Sequence, residues 1–327
     1  METIDTQITL FNPDTYLWFM VAAMTAVSLV LFFVGRHTRR RWLRRLCLVL
    51  ALAGWGVFFY GAFLGIRGVE VTQVEFVSAD LPEAFDGYRI VQFSDVHTGS
   101  YNGWRKPLLR EVVDSINSQK ADLIVFTGDI QNKVPDEIIA YGRPLRHLRA
   151  KDGICSVRGN HDYAAYSGRD DFNKTVDIGR TYSEQIEMGW HLLNNSHYRI
   201  RRDSSAIYIA GMENDGEGRF PQLGDIRSAL SGLNRQSFVI MLEHDPTSWR
   251  RRILPHSHCQ LTLSGHTHGG QFSLFGLSPV MVNYSESAGM YYAGDRALYV
   301  STGVGGVVPF RVGVKPEIVV ITLKKKK

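Results

Sequence analysis

Five apolar runs in this chain of 327 residues each end in side chains that can bind metal ions. FSDVH closes one run with Asp95 and His97. FTGD closes the next with Asp129, and VRGNHD closes a third with Asn160, His161 and Asp162. MLEHD closes a fourth with His244, and LTLSGHTHGG closes a fifth with His266 and His268. A lone His-X-His carries little weight, because ordinary surface turns often hold histidine. Recurrence gives the pattern its weight: five of the eleven histidines fall at these run ends. Carboxylate and amide oxygens mixed with imidazoles suit Mn²⁺, Zn²⁺ or iron, and no thiolate is present to favour a softer ion.

Side chains at these positions need strands that end together. RIVQFSD, ADLIVFTGD and GICSVRGNHD read as buried strands, with helices expected over Trp104 to Ser118 and Pro135 to Arg149 between them. VEVTQVEFV alternates and reads as an earlier strand. Later strands are expected at His197 to Ile200, Ala206 to Ala210, Phe238 to Leu242, Gln260 to Leu263, Ala297 to Ser301 and Glu317 to Leu323. Mixed β-α-β units and hairpins predict an α/β fold of sheets covered by helices. In open α/β sheets, sites form beyond the carboxyl ends of the strands. The stretch YAAYSGRDDFNKTVDIG, after His161 and Asp162, reads as a polar and aromatic loop that lines a groove or covers a sheet edge.

The first 67 residues differ in character. Tyr16 to Val34 and Leu46 to Ile66 carry no charge. Each is close to the ~20 residues that cross a bilayer as a helix. Aromatic residues sit near their ends, as at a membrane interface. A cleaved signal peptide has its basic residues ahead of the apolar run, whereas the first basic residue here follows it. Between the runs, Arg36 to Arg45 holds six arginines, and METIDTQITLFNPD holds no Lys or Arg. Short arginine-dense loops stay in the cytoplasm. The expected arrangement is a transmembrane hairpin over residues 1–67 and a second domain over 68–327 on the non-cytoplasmic side.

The pI near 9.0 does not indicate nucleic acid. Residues 68–323 hold 26 Lys+Arg against 29 Asp+Glu, and the basicity lies in the arginine loop and the tail Lys324 to Lys327. A nucleic-acid-binding domain carries its basic residues on a folded face. Three cysteines are too few for a disulfide framework, and Cys47, Cys155 and Cys259 read as small buried apolar residues. Arg158, Arg169, Arg219 and Arg311 carry guanidinium forks that suit an oxyanion, but most surface arginines hold none, so they stay outside the candidate site.

Asp-X-His, Gly-Asp, Gly-Asn-His-Asp, a lone His and Gly-His-X-His, in that order, resemble the calcineurin-like metallophosphoesterase superfamily. The resemblance runs from about Arg89 to the C-terminus. SGHTHGGQF, STGVGGVVPFR and PEIVVITL are similar to its membrane-associated branch. It implies two β-sheets sandwiched between helices and two divalent ions, Mn²⁺, Zn²⁺ or a mixed Fe/Mn pair. It further implies that Asp95, His97 and His268 bind one ion, that Asn160, His244 and His266 bind the other, and that Asp129 bridges both. His161 would protonate the leaving group, with Asp162 orienting and charging it.

The resulting expectation is a membrane-anchored, metal-dependent phosphodiesterase. Anchoring favours a lipid-linked phosphoester or pyrophosphate as substrate. Some relatives in the branch hydrolyse UDP-2,3-diacylglucosamine in lipid A synthesis, but that chemistry is cytoplasmic and the arginine loop argues for the other side. A non-catalytic membrane scaffold with a structural metal site is the alternative from another class, and His161 separates the two.

Overall fold

The computed structural model describes residues 12–327. The N-terminal stretch that carries the outward-facing expectation lies largely outside the described residues. The two expected spans are helices α1 (Asp14–His37) and α2 (Arg41–Phe59). At 24 residues, α1 is about 36 Å long by helical rise, enough for a ~30 Å hydrocarbon core. Neither helix buries its apolar surface in protein: only Gly35 of α1, and Cys47 and Phe58 of α2, are buried. The helices pack as a hairpin, in which Trp55 Nε1 donates to Ser28 Oγ at 3.1 Å. The turn is closed by Arg44 Nε, which donates to the Thr38 carbonyl at 2.9 Å.

A π-helical turn, Tyr60–Leu64, continues α2 and ties it to the rest of the chain. Gly65 N–H donates to the Tyr60 carbonyl at 2.7 Å, and Gly61 C=O accepts from Arg311 N–H at 3.1 Å. Gly61 must be glycine here, because a Cβ would run into the Phe310 ring.

Twelve strands follow: β1 (Glu70–Ser78), β2 (Arg89–Phe93), β3 (Leu123–Thr127), β4 (Ile154–Val157), β5 (His191–Leu192), β6 (Ser196–Arg202), β7 (Ser205–Gly211), β8 (Phe238–Leu242), β9 (Leu261–Ser264), β10 (Gly289–Ala293), β11 (Arg296–Val300) and β12 (Glu317–Lys325). They form two six-stranded sheets, ordered β1-β12-β2-β3-β4-β5 and β10-β11-β9-β8-β7-β6. Strands β2 to β5 are parallel, as are β7, β8, β9 and β11. β12 pairs antiparallel to β2, and β6 and β10 are antiparallel edges.

Strand alternation separates the layers. Ile90, Leu123, Val125, Ile209, Ile240 and Leu263 fill the space between the sheets. Their neighbours Val91, Phe93, Ile124 and Phe126 face outward, onto helix α3 (Lys106–Ser118). Both faces are covered, so these strands are apolar on both. Helix α3 buries Leu109, Val112, Val113 and Ile116, the spacing of one helical face. Each contributes about 1.5–3 kcal/mol relative to exposure. The three cysteines are buried and free, as their apolar surroundings imply.

Several elements differ from expectation, among them the two-residue β5, which was not in the expected set. The helix expected over Pro135 to Arg149 is a short α4 (Asp136–Tyr141) followed by a 3₁₀ turn, Arg143–His147. Gly142 and Pro144 break it, since proline cannot donate to a preceding turn. The stretch read as a loop after His161 remains one only up to Asp170, and its second half opens helix α5 (Asp171–Glu187), capped by Asp170, which accepts from Asn173 N–H at 2.9 Å. Its buried face is polar, formed by Asp177, Thr181 and Gln185, so no apolar period marks it. Strand β10, half-buried and rich in glycine and tyrosine, was not expected.

Candidate metal centre

The carboxyl ends of β2, β3, β4, β8 and β9 meet at one edge of the two sheets and bring every expected ligand together. Immediately after the strands the backbone turns through left-handed conformations. The φ angles are 55° at Asp95, 48° at His97, 62° at Asp129, 72° at His266 and 53° at His268. Asp and His enter this region more readily than most residues. Such backbone costs about 1–3 kcal/mol per residue and clusters at functional sites. Loop-to-loop bonds hold it: Asp95 N–H donates to the Gly128 carbonyl at 2.9 Å, and His97 N–H to the Asp129 carbonyl at 3.0 Å. Two motif glycines allow the close approach. A Cβ at Gly159 would run into the Asp129 carboxylate, and one at Gly265 into Ser94 and Asp95.

The donor atoms form two groups. In the first, His97 Nε2 is 3.3 Å from His268 Nε2, and His268 Nε2 is 3.5 Å from Asp95 Oδ1. In the second, Asn160 Oδ1 is 3.2 Å from His244 Nε2 and 2.8 Å from His266 Nδ1, and those two nitrogens are 3.2 Å apart. Asp129 Oδ2 joins the groups, at 3.6 Å from His97 Nε2 and 3.2 Å from His244 Nε2. Ligands about 2.0–2.2 Å from a shared ion, at tetrahedral or octahedral angles, lie about 3–3.5 Å from one another. The observed separations fit that requirement, so each group could hold one divalent ion, with Asp129 facing both.

Backbone and neighbouring groups aim these donors. His244 Nδ1 donates to the Thr127 carbonyl at 2.7 Å, which directs Nε2 inward. His266 Nε2 meets Tyr284 Oη at 2.8 Å and lies 3.5 Å from Asp245 Oδ2, which directs Nδ1 inward. Asn160 Nδ2 donates to Tyr166 Oη at 3.0 Å, which turns its carbonyl oxygen to the second group.

Burial, with the charge of His161 next, lowers His97 to about 3. Burial lowers His266 to about 4 against the pull of Asp245, and it holds His268 well below the usual histidine value. These imidazoles are therefore neutral, the form that binds metal. Burial opposes the charge on Asp129, but His244 and His161 outweigh it and keep the carboxyl well below the usual range. Burial likewise opposes charge on His244, yet Asp129 raises it well above its usual value. Burial pushes Asp95 up to about 7, despite His244.

His161 stands beside the groups, with a ring nitrogen within 4.8 Å of donor atoms on His97 and Asp129. Its Nδ1 donates to the Asn132 carbonyl at 2.6 Å. The expectation that Asp162 orients His161 is corrected. Asp162 Oδ2 accepts from Gly159 and Asp129 N–H, each at 2.9 Å, and Oδ1 accepts from Ile130 N–H at 3.0 Å. The carboxylate is committed to backbone and laces the β3 loop to the β4 loop.

The two groups floor a cleft of about 420 Å³, walled by Tyr166, Arg219, Phe220 and Tyr284 and reached by Tyr16 of α1. Of the four arginines whose forks suit an oxyanion, Arg219 alone lines it. Arg158 pairs with Glu213, Arg169 pairs with Asp177 at 2.8 Å, and Arg311 is buried against the carbonyls of Thr302, Gly303 and Lys315. Tyr166 lies in the aromatic stretch expected to line a groove and does line the cleft, whereas sequence reading missed Asp245, which adjoins His244 in the quoted motif, and Tyr16 and Tyr284, which carry no local signal.

Two apposed sheets with clustered Asp, Asn and His donors at their shared carboxyl edge define an α/β metal-centre hydrolase fold. The chain belongs to the calcineurin-like phosphoesterase family, whose profile matches residues 88–270. It is 34% identical over 303 residues to the uncharacterized metallophosphoesterase YkuE of Bacillus subtilis, covering 88% of this chain and 98% of that protein. It is 30% identical over 275 residues to a transmembrane protein with metallophosphoesterase domain of Danio rerio, covering 81% of this chain and 60% of that protein. A solved dimetal phosphatase of Danio rerio overlaps 67% of this chain and 88% of its own, at 14% identity and a TM-score of 0.38. The chain is thus a metallophosphoesterase-family hydrolase, with two helices long and apolar enough to cross a membrane.

Proposed function

We propose that the chain is a two-metal phosphodiesterase anchored by its helical hairpin (residues 1–67), with a catalytic domain (68–327) that acts on a lipid-linked phosphodiester or pyrophosphate. The observation that carries this reading is the single Asp129 oxygen shared by the two donor groups. Asp95, His97 and His268 would hold one ion and Asn160, His244 and His266 the other, with Asp129 between the two groups. Bound there, the ions supply charge neutralisation for the phosphate and a more acidic water. His161, anchored through Nδ1, gives the proton of its other ring nitrogen to the departing oxygen. Arg219 has the fork to hold a non-bridging phosphate oxygen. The arginine loop supports a cytoplasmic hairpin turn and a catalytic domain across the membrane.

The test is hydrolysis of bis-p-nitrophenyl phosphate by the detergent-purified protein, stripped of metal and then supplied with Mn²⁺ or Zn²⁺, beside Asp129→Ala. Turnover that requires added metal and vanishes in the variant is expected. Failure on this ester and on lipid-linked diphosphates, with two ions bound, would overturn catalysis in favour of a structural metal site. A reporter fused after Leu323 that is active only in the cytoplasm would reverse the topology.

A further inference from the structure

Between Gly269 and Ser285 the chain holds 17 residues without a single charge, GGQFSLFGLSPVMVNYS. Most of its large apolar side chains face outward. Phe275 is 95% exposed, Val282 87% and Leu277 72%, and Leu274 and Met281 are also exposed. Exposed apolar side chains gathered in one short loop mark a binding site or a liability in water.

The tip is strained as well. Leu274 and Leu277 exchange both backbone bonds, at 2.9 and 3.0 Å, around Phe275 and Gly276. Both central residues have positive φ, 52° and 79°. Asn-Gly is the favoured pair for such a turn, and a phenylalanine in left-handed backbone is a genuine outlier. In water, this exposed ring brings strain and no contact in return.

The loop hangs from the membrane anchor. Ser273 N–H donates to the Val312 carbonyl at 2.8 Å, Val312 N–H to the Gln271 carbonyl at 2.9 Å, and Arg311 N–H to the Gly61 carbonyl of the second span at 3.1 Å. Phe310, between them, stacks on Phe58 of that span at 6.5 Å. Phe63 of the span stacks at 5.7 Å on Trp104, which is half-exposed with Arg67 and Arg105 at its ring, the composition of a bilayer interface. The other end of the loop reaches the metal centre: Val280 lines the cleft, and Tyr284 bonds His266.

We propose that the loop Phe272–Val282 is a second membrane-contact element, which inserts its apolar tip into the bilayer interface beside the hairpin. The bilayer is its occupant because the loop is continuous, through one hydrogen-bonded strip, with the end of a membrane span. Insertion seats the mouth of the cleft at the membrane surface, where a lipid headgroup enters without leaving the bilayer. The substrate consequence rests on the proposed catalysis, and the insertion rests on the proposed membrane hairpin alone.

The test uses the full chain in vesicles of phosphatidylethanolamine and phosphatidylglycerol. Bimane is attached at Phe275→Cys or Val282→Cys, with Ser204→Cys as a control on the β6–β7 turn at the opposite edge of the sheets. The native cysteines are buried. Quenching of both loop labels by nitroxide lipids, with protection from iodide, is expected, while Ser204→Cys shows the reverse. Loop labels as open to iodide as the control would overturn the proposal. Protection that persists in lipid-free detergent with a doubled mass would also overturn it, placing a second copy on the loop. In a second arm, Phe275→Asp with Val282→Asp keeps hydrolysis of bis-p-nitrophenyl phosphate and loses about tenfold or more on a p-nitrophenyl phosphatidyl diester embedded in vesicles. Equal rates on the embedded diester would sink the substrate-delivery consequence. If neither protein hydrolyses either ester or a lipid-linked diphosphate with two ions bound, the proposed function fails, and the quenching still decides insertion.

Discussion

The His161 ring hangs on the Asn132 backbone through a 2.6 Å bond from Nδ1 to the carbonyl oxygen. A carbonyl only accepts, so this bond fixes a proton on Nδ1 and frees the other ring nitrogen for the cleft. His161→Gln should therefore keep both ions and lose kcat by about 10²–10⁴-fold. The loss should be larger for an alkyl leaving group than for p-nitrophenol, which departs without a proton. Metal content and rates on paired esters check this. Loss of an ion in the variant would make His161 a ligand instead.

Asp162 makes a different prediction from the one its place in the motif suggests. Its two oxygens accept four backbone N–H groups, of Gly159, Asp129, Ile130 and, at 3.5 Å, Gln131. Asp162→Asn turns an amide NH₂ against N–H donors and leaves buried groups unpaired. The expected cost is about 1–3 kcal/mol of stability, read as a lower thermal midpoint. A variant with unchanged stability and a collapsed kcat would restore Asp162 to orienting and charging His161.

The fold and the donor set were legible for one physical reason. Parallel strands buried on both faces are written as continuous apolar runs, and their ends carry the ligands. Asp95, Asp129 and His266 could be placed because each sits within a residue or two of a strand end. Helix α5 was invisible because its buried face is Asp177, Thr181 and Gln185, packed through hydrogen bonds such as Thr181 Oγ1 to Gln131 Oε1 at 2.9 Å. Tyr284 and Tyr16 reach the cleft through tertiary placement alone. The role given to Asp162 failed because adjacency in sequence says nothing about where a short side chain points in a 3₁₀ turn.

Asp129 and His268 should differ in metal content. The Asp129 oxygen faces both donor groups, at 3.2 and 3.6 Å from their histidines, whereas His268 belongs to the first group alone. Asp129→Ala should lose both ions, and His268→Ala should keep the one held by Asn160, His244 and His266. Elemental analysis of purified protein measures this directly. An Asp129→Ala protein that retains two ions would mean that the groups fill independently.

Metal affinity should depend on pH in two regimes. His244 is held protonated by Asp129 and must release that proton to bind an ion. Asp95, raised by burial to about 7, must release a second proton only below that pH. His97 and His266, lowered to about 3 and about 4, are already neutral and release none. The slope of the log of the overall two-ion affinity against pH is therefore about one above pH 7, from His244 of the second group, and about two between pH 5 and 7, where Asp95 of the first group adds its own proton, with affinity falling as pH falls. Histidines with ordinary values would steepen it to about four or five below pH 6.5. Mn²⁺ titration by calorimetry across pH 5 to 8, in buffers of different ionisation heat, counts the protons. A slope near zero would show that the stripped site is already fully deprotonated and that the Asp129–His244 pair holds no proton.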